Sequence, residues 1–197
     1  MKPRTLPSFY THPQMVRLCQ APDRSSRIGL RDRALLSLLC STGLRATELC
    51  KLQVLDLYPD RLLVRRGKFG HQRWVPVSPG TRRAIDRYFA AHPPQRLASP
   101  VIRTQSGGVL SRRHLHKIVV GHARRVGLRG CVHTLRHSAA THWLNSGVSL
   151  FSVKALLGHA RLSTTAVYCG TAVDGLVAEL GRCVWPAPGP AARAAAA

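Results

Sequence analysis

Residues 30–49 read LRDRALLSLLCSTGLRATEL, and this stretch decides the fold. Leu30, Ala34, Leu35, Leu36, Leu38 and Leu39 leave almost no polar face on a helix, so 30–40 is predicted to be a helix buried at the centre of the molecule. Gly43 stops it, because a left-handed residue at a helix end costs glycine least. A short helix follows at about 47–52. Upstream, Thr11 is placed to cap a helix running to about Gln20, after an extended lead-in over 1–10. Downstream the pattern changes. Segments 54–58, 62–66 and 73–77 are short, partly β-branched and separated by turn residues, with Gly67-Lys68-Phe69-Gly70 in the hairpin turn. They predict a small three-stranded antiparallel sheet. Helices are then predicted at about 81–91, 112–125, 134–145, 150–157, 164–168 and 173–180, with Pro93-Pro94 and Gly107-Gly108 marking loops. The expected class is α+β, mainly helical. One domain is expected over 1–185, followed by a mobile Ala/Pro-rich tail over 186–197.

The chain has 197 residues, enough to bury a core without disulfides. Its charge is lopsided: 30 Lys plus Arg against 8 Asp plus Glu, a net +22. A polyanionic partner is the leading expectation, and the excess of Arg over Lys favours forked phosphate contacts. An Arg- and Ala-rich composition inherited from a GC-rich genome is the bland alternative. No stretch reaches the roughly 20 apolar residues needed to cross a bilayer, and no signal-peptide core is visible. The expected setting is cytoplasmic and nucleoid-associated, with no membrane partner. The six cysteines form no CxxC pair and read as reduced thiols. The ten histidines show no zinc spacing. There is no Walker loop and no GxGxxG, so no metal and no cofactor are expected.

Three stretches carry chemistry. In Ser41-Thr42-Gly43-Leu44-Arg45-Ala46-Thr47-Glu48-Leu49, Arg45 stands at the mouth of a helix, where free amides and a guanidinium fork together suit an anion. A surface pair between Arg45 and Glu48 would explain the same residues. In His133-Thr134-Leu135-Arg136-His137, His133 and Arg136 share a helix face, while Leu135, Ala139 and Trp143 turn inward. One titratable imidazole beside one permanent cation suits a phosphate whose charge rises during reaction; an ordinary basic surface is the alternative. In residues 156–168, LLGHARLSTTAVY, Gly158 should end one helix and Ser163 cap another, so that His159 and Tyr168 can face one cleft across the break. A tyrosine serves as nucleophile only beside cations, since its free pKa is about 10. Alone, Tyr168 would pass as a half-buried core residue.

Taken together, the three stretches resemble the signature boxes of the tyrosine recombinases, or phage integrase family. Arg45 falls in the TGLRxxEL box, His133 and Arg136 in HxLRH, and His159 and Tyr168 in LLGHxxxxTTxxY. The hairpin from Gly67 to Pro76 resembles the family's lysine element, with Lys68 in the lysine place. The resemblance covers roughly residues 5–180. It implies that Tyr168 attacks a DNA phosphate, leaving a 3′-phosphotyrosyl link and a free 5′-hydroxyl. Arg45 and Arg136 would clamp the non-bridging oxygens, Lys68 would protonate the leaving 5′-oxygen, His133 would assist proton transfer with Tyr168, and His159 would hydrogen-bond the phosphate. The ester is exchanged and not hydrolysed, so neither metal nor ATP is called for.

The implied function is site-specific DNA recombination of the integrase or invertase type. The implied partners are double-stranded DNA, three further copies of the chain in a homo-tetramer on paired sites, and accessory proteins. A type IB topoisomerase, which would only relax supercoils, and a catalytically silent DNA-binding fragment are the rivals. Where the family's hairpin often reads Gly-Lys-Gly with a further basic residue, Phe69 and His71 stand here. No stretch of these residues resembles the N-terminal helical domain that completes the family's clamp around DNA, so the expectation is a catalytic domain only, either standing alone or cut from a longer protein. Arg112, Arg113 and Lys117 lie along one predicted helix that could track phosphates or simply be solvated. Arg73 and Arg161 flank the proposed centre as expected backbone contacts. The apolar segment 173–180 would dock on a neighbouring protomer or pack in cis.

Overall fold

The apolar run of the sequence forms a helix through the middle of the molecule. In the computed structural model, which describes residues 9–65 and 72–158, α1 spans His12–Gln20, α2 Arg27–Thr42 and α3 Ala46–Lys51. A 3-10 turn, Val54–Asp56, precedes strands β1 (Arg61–Val64) and β2 (Arg73–Pro76). Helices α4 (Pro79–Ala91), α5 (Arg112–Arg125), α6 (Val132–Asn145) and α7 (Leu150–Leu157) complete the described chain. Lys68, His159, Arg161 and Tyr168, the predicted helices at 164–168 and 173–180, and the tail lie outside the described residues.

Helix α2 packs against α1, α4 and α6, and its residues Ala34, Leu35, Leu36, Leu38 and Cys40 are fully buried. It starts earlier than its apolar run, because Ser26 Oγ accepts the Gly29 N–H at 3.0 Å and so caps the first turn. It ends at Gly43, whose φ of 58° is left-handed. A Cβ at Gly43 would stand 3.1 Å from Leu157 and 3.3 Å from Trp143, so the glycine also lets α6 and the end of α7 close onto the α2–α3 junction. Serines cap α4, α5 and α7 in the same way (Ser78, Ser111 and Ser149). Helix α6 begins at Val132, ahead of the expected start, because Thr134 Oγ1 accepts the Cys131 N–H at 3.1 Å and draws the chain into helix early. Leu135, Ala139 and Trp143 are buried as the spacing predicted.

The sheet is smaller than expected. Strands β1 and β2 pair antiparallel, Leu62 opposite Val75, and no third strand joins them among the described residues. The segment over 54–58 forms the 3-10 turn, with one isolated bridge from Leu57 to Leu62. The cause is local. The buried Asp56 carboxylate accepts the Gln53 N–H at 3.0 Å, and Val54 and Leu55 donate to Ser99 and Leu97 carbonyls instead of to a strand. A short acid that bonds nearby backbone offers the chain an alternative to a ladder. No described helix is long and apolar enough to cross a membrane.

Candidate active site

Arg45 is the residue before α3, and its backbone is extended (φ −70°, ψ 152°). Two groups hold it. Glu48, in the first turn of α3, accepts the Arg45 backbone N–H at 2.9 Å and its Nη1–H at 2.9 Å. Arg45 Nη2 donates to the Gly158 carbonyl at 3.1 Å. The surface pair considered for Arg45 and Glu48 is therefore a buried one on the acid's side: the Glu48 side chain is 4% exposed against 26% for Arg45. A second arginine completes the acid's shell. Arg73, on β2, donates to Glu48 Oε1 at 3.0 Å and Oε2 at 2.8 Å, a bidentate fork. Burial by itself would push the Glu48 carboxyl up; the bonds and charge of Arg73, then of Arg45, outweigh it and hold the group at about 2.

Arg73 was expected on the DNA backbone. Its guanidinium turns inward instead: the side chain is 10% exposed, and Nε donates to the Leu156 carbonyl at 2.6 Å.

Arg136, in α6, is buried. Its Nη1 donates to the Gly43 carbonyl at 2.8 Å and its Nη2 to the Leu157 carbonyl at 2.6 Å. Desolvation, and the like charge of Arg45, lower its pKa to about 10. Three successive carbonyls at the end of α7 thus each receive a different guanidinium: Leu156 from Arg73, Leu157 from Arg136 and Gly158 from Arg45. Such terminal carbonyls have no partner inside their helix and carry its negative end, so cations suit them. The consequence is positional. The point from which the chain continues toward His159 and Tyr168 is tied to the cations proposed to grip phosphate.

Of these guanidiniums, Arg45 and Arg136 line a cleft of about 460 Å³ whose walls also include Arg112, His116, Cys131 and His133. His133 stands exposed in the first turn of α6, and Arg136 lies one turn on, buried. The structure therefore brings Arg45, His133 and Arg136 to one cleft. It adds Arg112 to the wall. Arg113 and Lys117 are exposed on the same helix, α5, which packs on α3 through a buried stripe of Leu115, Ile118 and Val119. Among the described residues no group of three or more His, Cys, Asp or Glu is placed to hold a metal ion.

The sequence reading missed Glu48 as the organising acid. Its signal was present in the Arg45–Glu48 spacing, but the second partner, Arg73, is 25 residues away. It also missed His137, whose Nε2 lies 2.9 Å from His133 Nε2.

The architecture is shared with solved DNA recombinases. The integrase of mycobacterium phage Brujita superposes with a TM-score of 0.74 at 22% identity, covering 93% of this chain and 60% of that one. XerA recombinase superposes at 0.71 with 21% identity, covering 91% and 65%. At that identity the likeness is one of fold. Residues 8–173 match the phage integrase family, and the chain belongs to that family. Among its relatives are tyrosine recombinase XerC of Chlamydia caviae, 36% identical over 174 residues (84% of this chain, 55% of that protein), and XerA of Pyrococcus horikoshii, 36% identical over 172 residues (84% and 58%). The chain spans somewhat more than half the length of these relatives.

Proposed function

We propose that this chain acts as the catalytic domain of a site-specific DNA recombinase, cutting and rejoining double-stranded DNA through a 3′-phosphotyrosyl link to Tyr168. The observation that carries the reading is the convergence of Arg45, Arg136 and His133 on one open cleft at the end of α7. A guanidinium has five N–H donors. Arg45 and Arg136 each give two side-chain bonds to described residues, so each retains donors for an oxyanion. A five-coordinate phosphorus carries more negative charge than the diester it comes from, and fixed cations in a partly desolvated cleft favour it without reorganising.

In this scheme the phenolic oxygen of Tyr168 forms a bond to phosphorus and gives its proton to His133. The P–O bond to the 5′-oxygen breaks, and Lys68 protonates that oxygen. His159 hydrogen-bonds the phosphate. Arg73 positions Glu48, and through it Arg45. Arg112, Arg113, Lys117 and Arg161 contact DNA phosphates. Rejoining is the same sequence reversed on a new 5′-hydroxyl. The assembly that fits strand exchange is a homo-tetramer on two paired sites, served by accessory proteins. Support for the DNA partner comes from relatives of the fold solved on DNA, among them XerH on its difH substrate.

The test is covalent capture on a nicked suicide duplex. The wild-type chain is expected to give a protein–DNA adduct, and Tyr168→Phe to give none while still binding DNA. An undiminished adduct from Tyr168→Phe would remove that residue from the mechanism. Joining of strands between two duplexes supports recombination, whereas relaxation of supercoils without joining would move the assignment to a type IB topoisomerase.

A further inference from the structure

Resting on that reading of the cleft, we propose that His137 is a positioning residue for the reaction, holding the His133 ring through one proton shared between their Nε2 atoms. The two histidines stand four apart on α6, the spacing that puts side chains on one face. Their Nε2 atoms are 2.9 Å apart, their ring centroids 4.3 Å, and their planes cross at 78°. This is edge-on hydrogen-bonding geometry, not stacking.

The chemistry of such a contact is restrictive. An imidazole nitrogen is a donor or an acceptor, never both at once. A bond between two Nε2 atoms therefore holds one proton, and two protons would set donor against donor. Three consequences follow. The Nε2 of His133 is always engaged, which leaves Nδ1 as the nitrogen for proton exchange with the phenol. The ring cannot spin freely, although His133 is exposed in the first turn of its helix. The pair also accepts a first positive charge far more readily than a second.

The surroundings decide where that first charge sits. Burial, then the neighbouring His133 and Arg136, lowers the proton affinity of His137. His133 faces the cleft, where Arg45, Arg112, His116, Cys131 and Arg136 are the other charged or titratable groups on the wall. His137 therefore stays neutral and accepts the hydrogen bond from the His133 ring. In the proposed cleavage step, neutral His133 takes the phenolic proton on Nδ1 as the Tyr168 oxygen bonds to phosphorus. It keeps its orientation because the Nε2 proton remains between the rings.

Two measurements on the full chain test this. The first needs no DNA: the His133 tautomer, read from its ring nitrogen shifts by NMR near neutral pH in the wild type and in His137→Phe, which keeps a ring and loses the bond. The wild-type His133 is expected to hold a single tautomer with the proton on Nε2, and the variant to show a mixture of the two tautomers. The second is the pH dependence of adduct formation on the suicide duplex. His137→Phe is expected to slow it about tenfold near neutrality, a fraction of what general acid–base groups contribute, and to displace the pH profile. His137→Gln, whose amide reaches the same place with a donor or an acceptor, is expected to restore most of the rate. A His137→Phe protein with the wild-type pH profile and an unaltered His133 tautomer would overturn the proposal. If the wild type forms no adduct, the recombinase reading fails, and the tautomer measurement still decides whether the histidines share a proton. Should His137→Phe not fold, the same two measurements on His137→Gln against His137→Ala decide the question.

Discussion

Two buried carboxylates in this molecule have nearly the same surroundings and different consequences. Asp32 on α2 accepts Arg31 at 2.7 Å and the His122 Nε2 of α5 at 2.9 Å, and all three residues are buried. Glu48 accepts Arg45 and Arg73, and it is buried too. The Asp32 group is sealed and ties two helices together. The Glu48 group has one partner, Arg45, opening on a cleft, and a third guanidinium, Arg136, beside it. The comparison teaches that a buried acid with paired cations is ordinary architecture. It becomes a candidate site when the cations outnumber the acid and the surplus lines an open cleft.

The largest effect expected from this contrast lies in removing each acid. Glu48→Ala would leave Arg45 and Arg73 without their counter-ion, and breaking such a buried pair costs about 3–5 kcal/mol. Asp32→Ala should cost a similar amount by urea unfolding. The two should part on adduct formation per folded molecule: lost in Glu48→Ala, kept in Asp32→Ala at a temperature where both are folded. Equal adduct yields would erase the distinction drawn between the two clusters.

A smaller and sharper effect is expected in acid. The Glu48 carboxyl titrates at about 2 in the fold against an ordinary value of 4.5. A group held below its unfolded pKa adds stability above that unfolded value and loses it as pH falls through the folded one. The contribution is thus complete above about pH 4.5 and gone below about 2, worth about 3 kcal/mol. Glu48→Gln should flatten that part of the urea midpoint against pH. A wild-type slope persisting in the variant would assign the acid transition to another carboxyl.

The smallest effect concerns α5. Arg113→Ala and Lys117→Ala, both exposed, should shift unfolding by no more than about 0.5 kcal/mol. Each should also reduce the salt slope of DNA binding by about 1. An unchanged slope would make that face solvated surface and leave the cleft as the whole of the basic site.

What could be read in advance was whatever one or two turns of chain decide. Gly43 and Gly158 as helix ends and the bounds of α5 and α7 were all legible, because each depends on side chains a few residues apart. So was the inward stripe of Leu135, Ala139 and Trp143. The third strand was misread because Val54 and Tyr58 at the ends of a short apolar segment signal a strand, while the Asp56 carboxylate rearranges the backbone locally. Arg73 was misread because a basic residue near a motif looks the same in sequence whether it reaches out or in.

The chain alone fixed the cationic excess, the helix ends, and the identities of Arg45, His133 and Arg136 as candidates. Only the tertiary structure brought them to one cleft. Arg136 meets the Gly43 carbonyl across 93 positions and Arg45 meets Gly158 across 113. Contacts at that separation exist only after the core has packed, since it is the closure of α6 and α7 onto Gly43 that sets buried guanidiniums against carbonyls needing a donor.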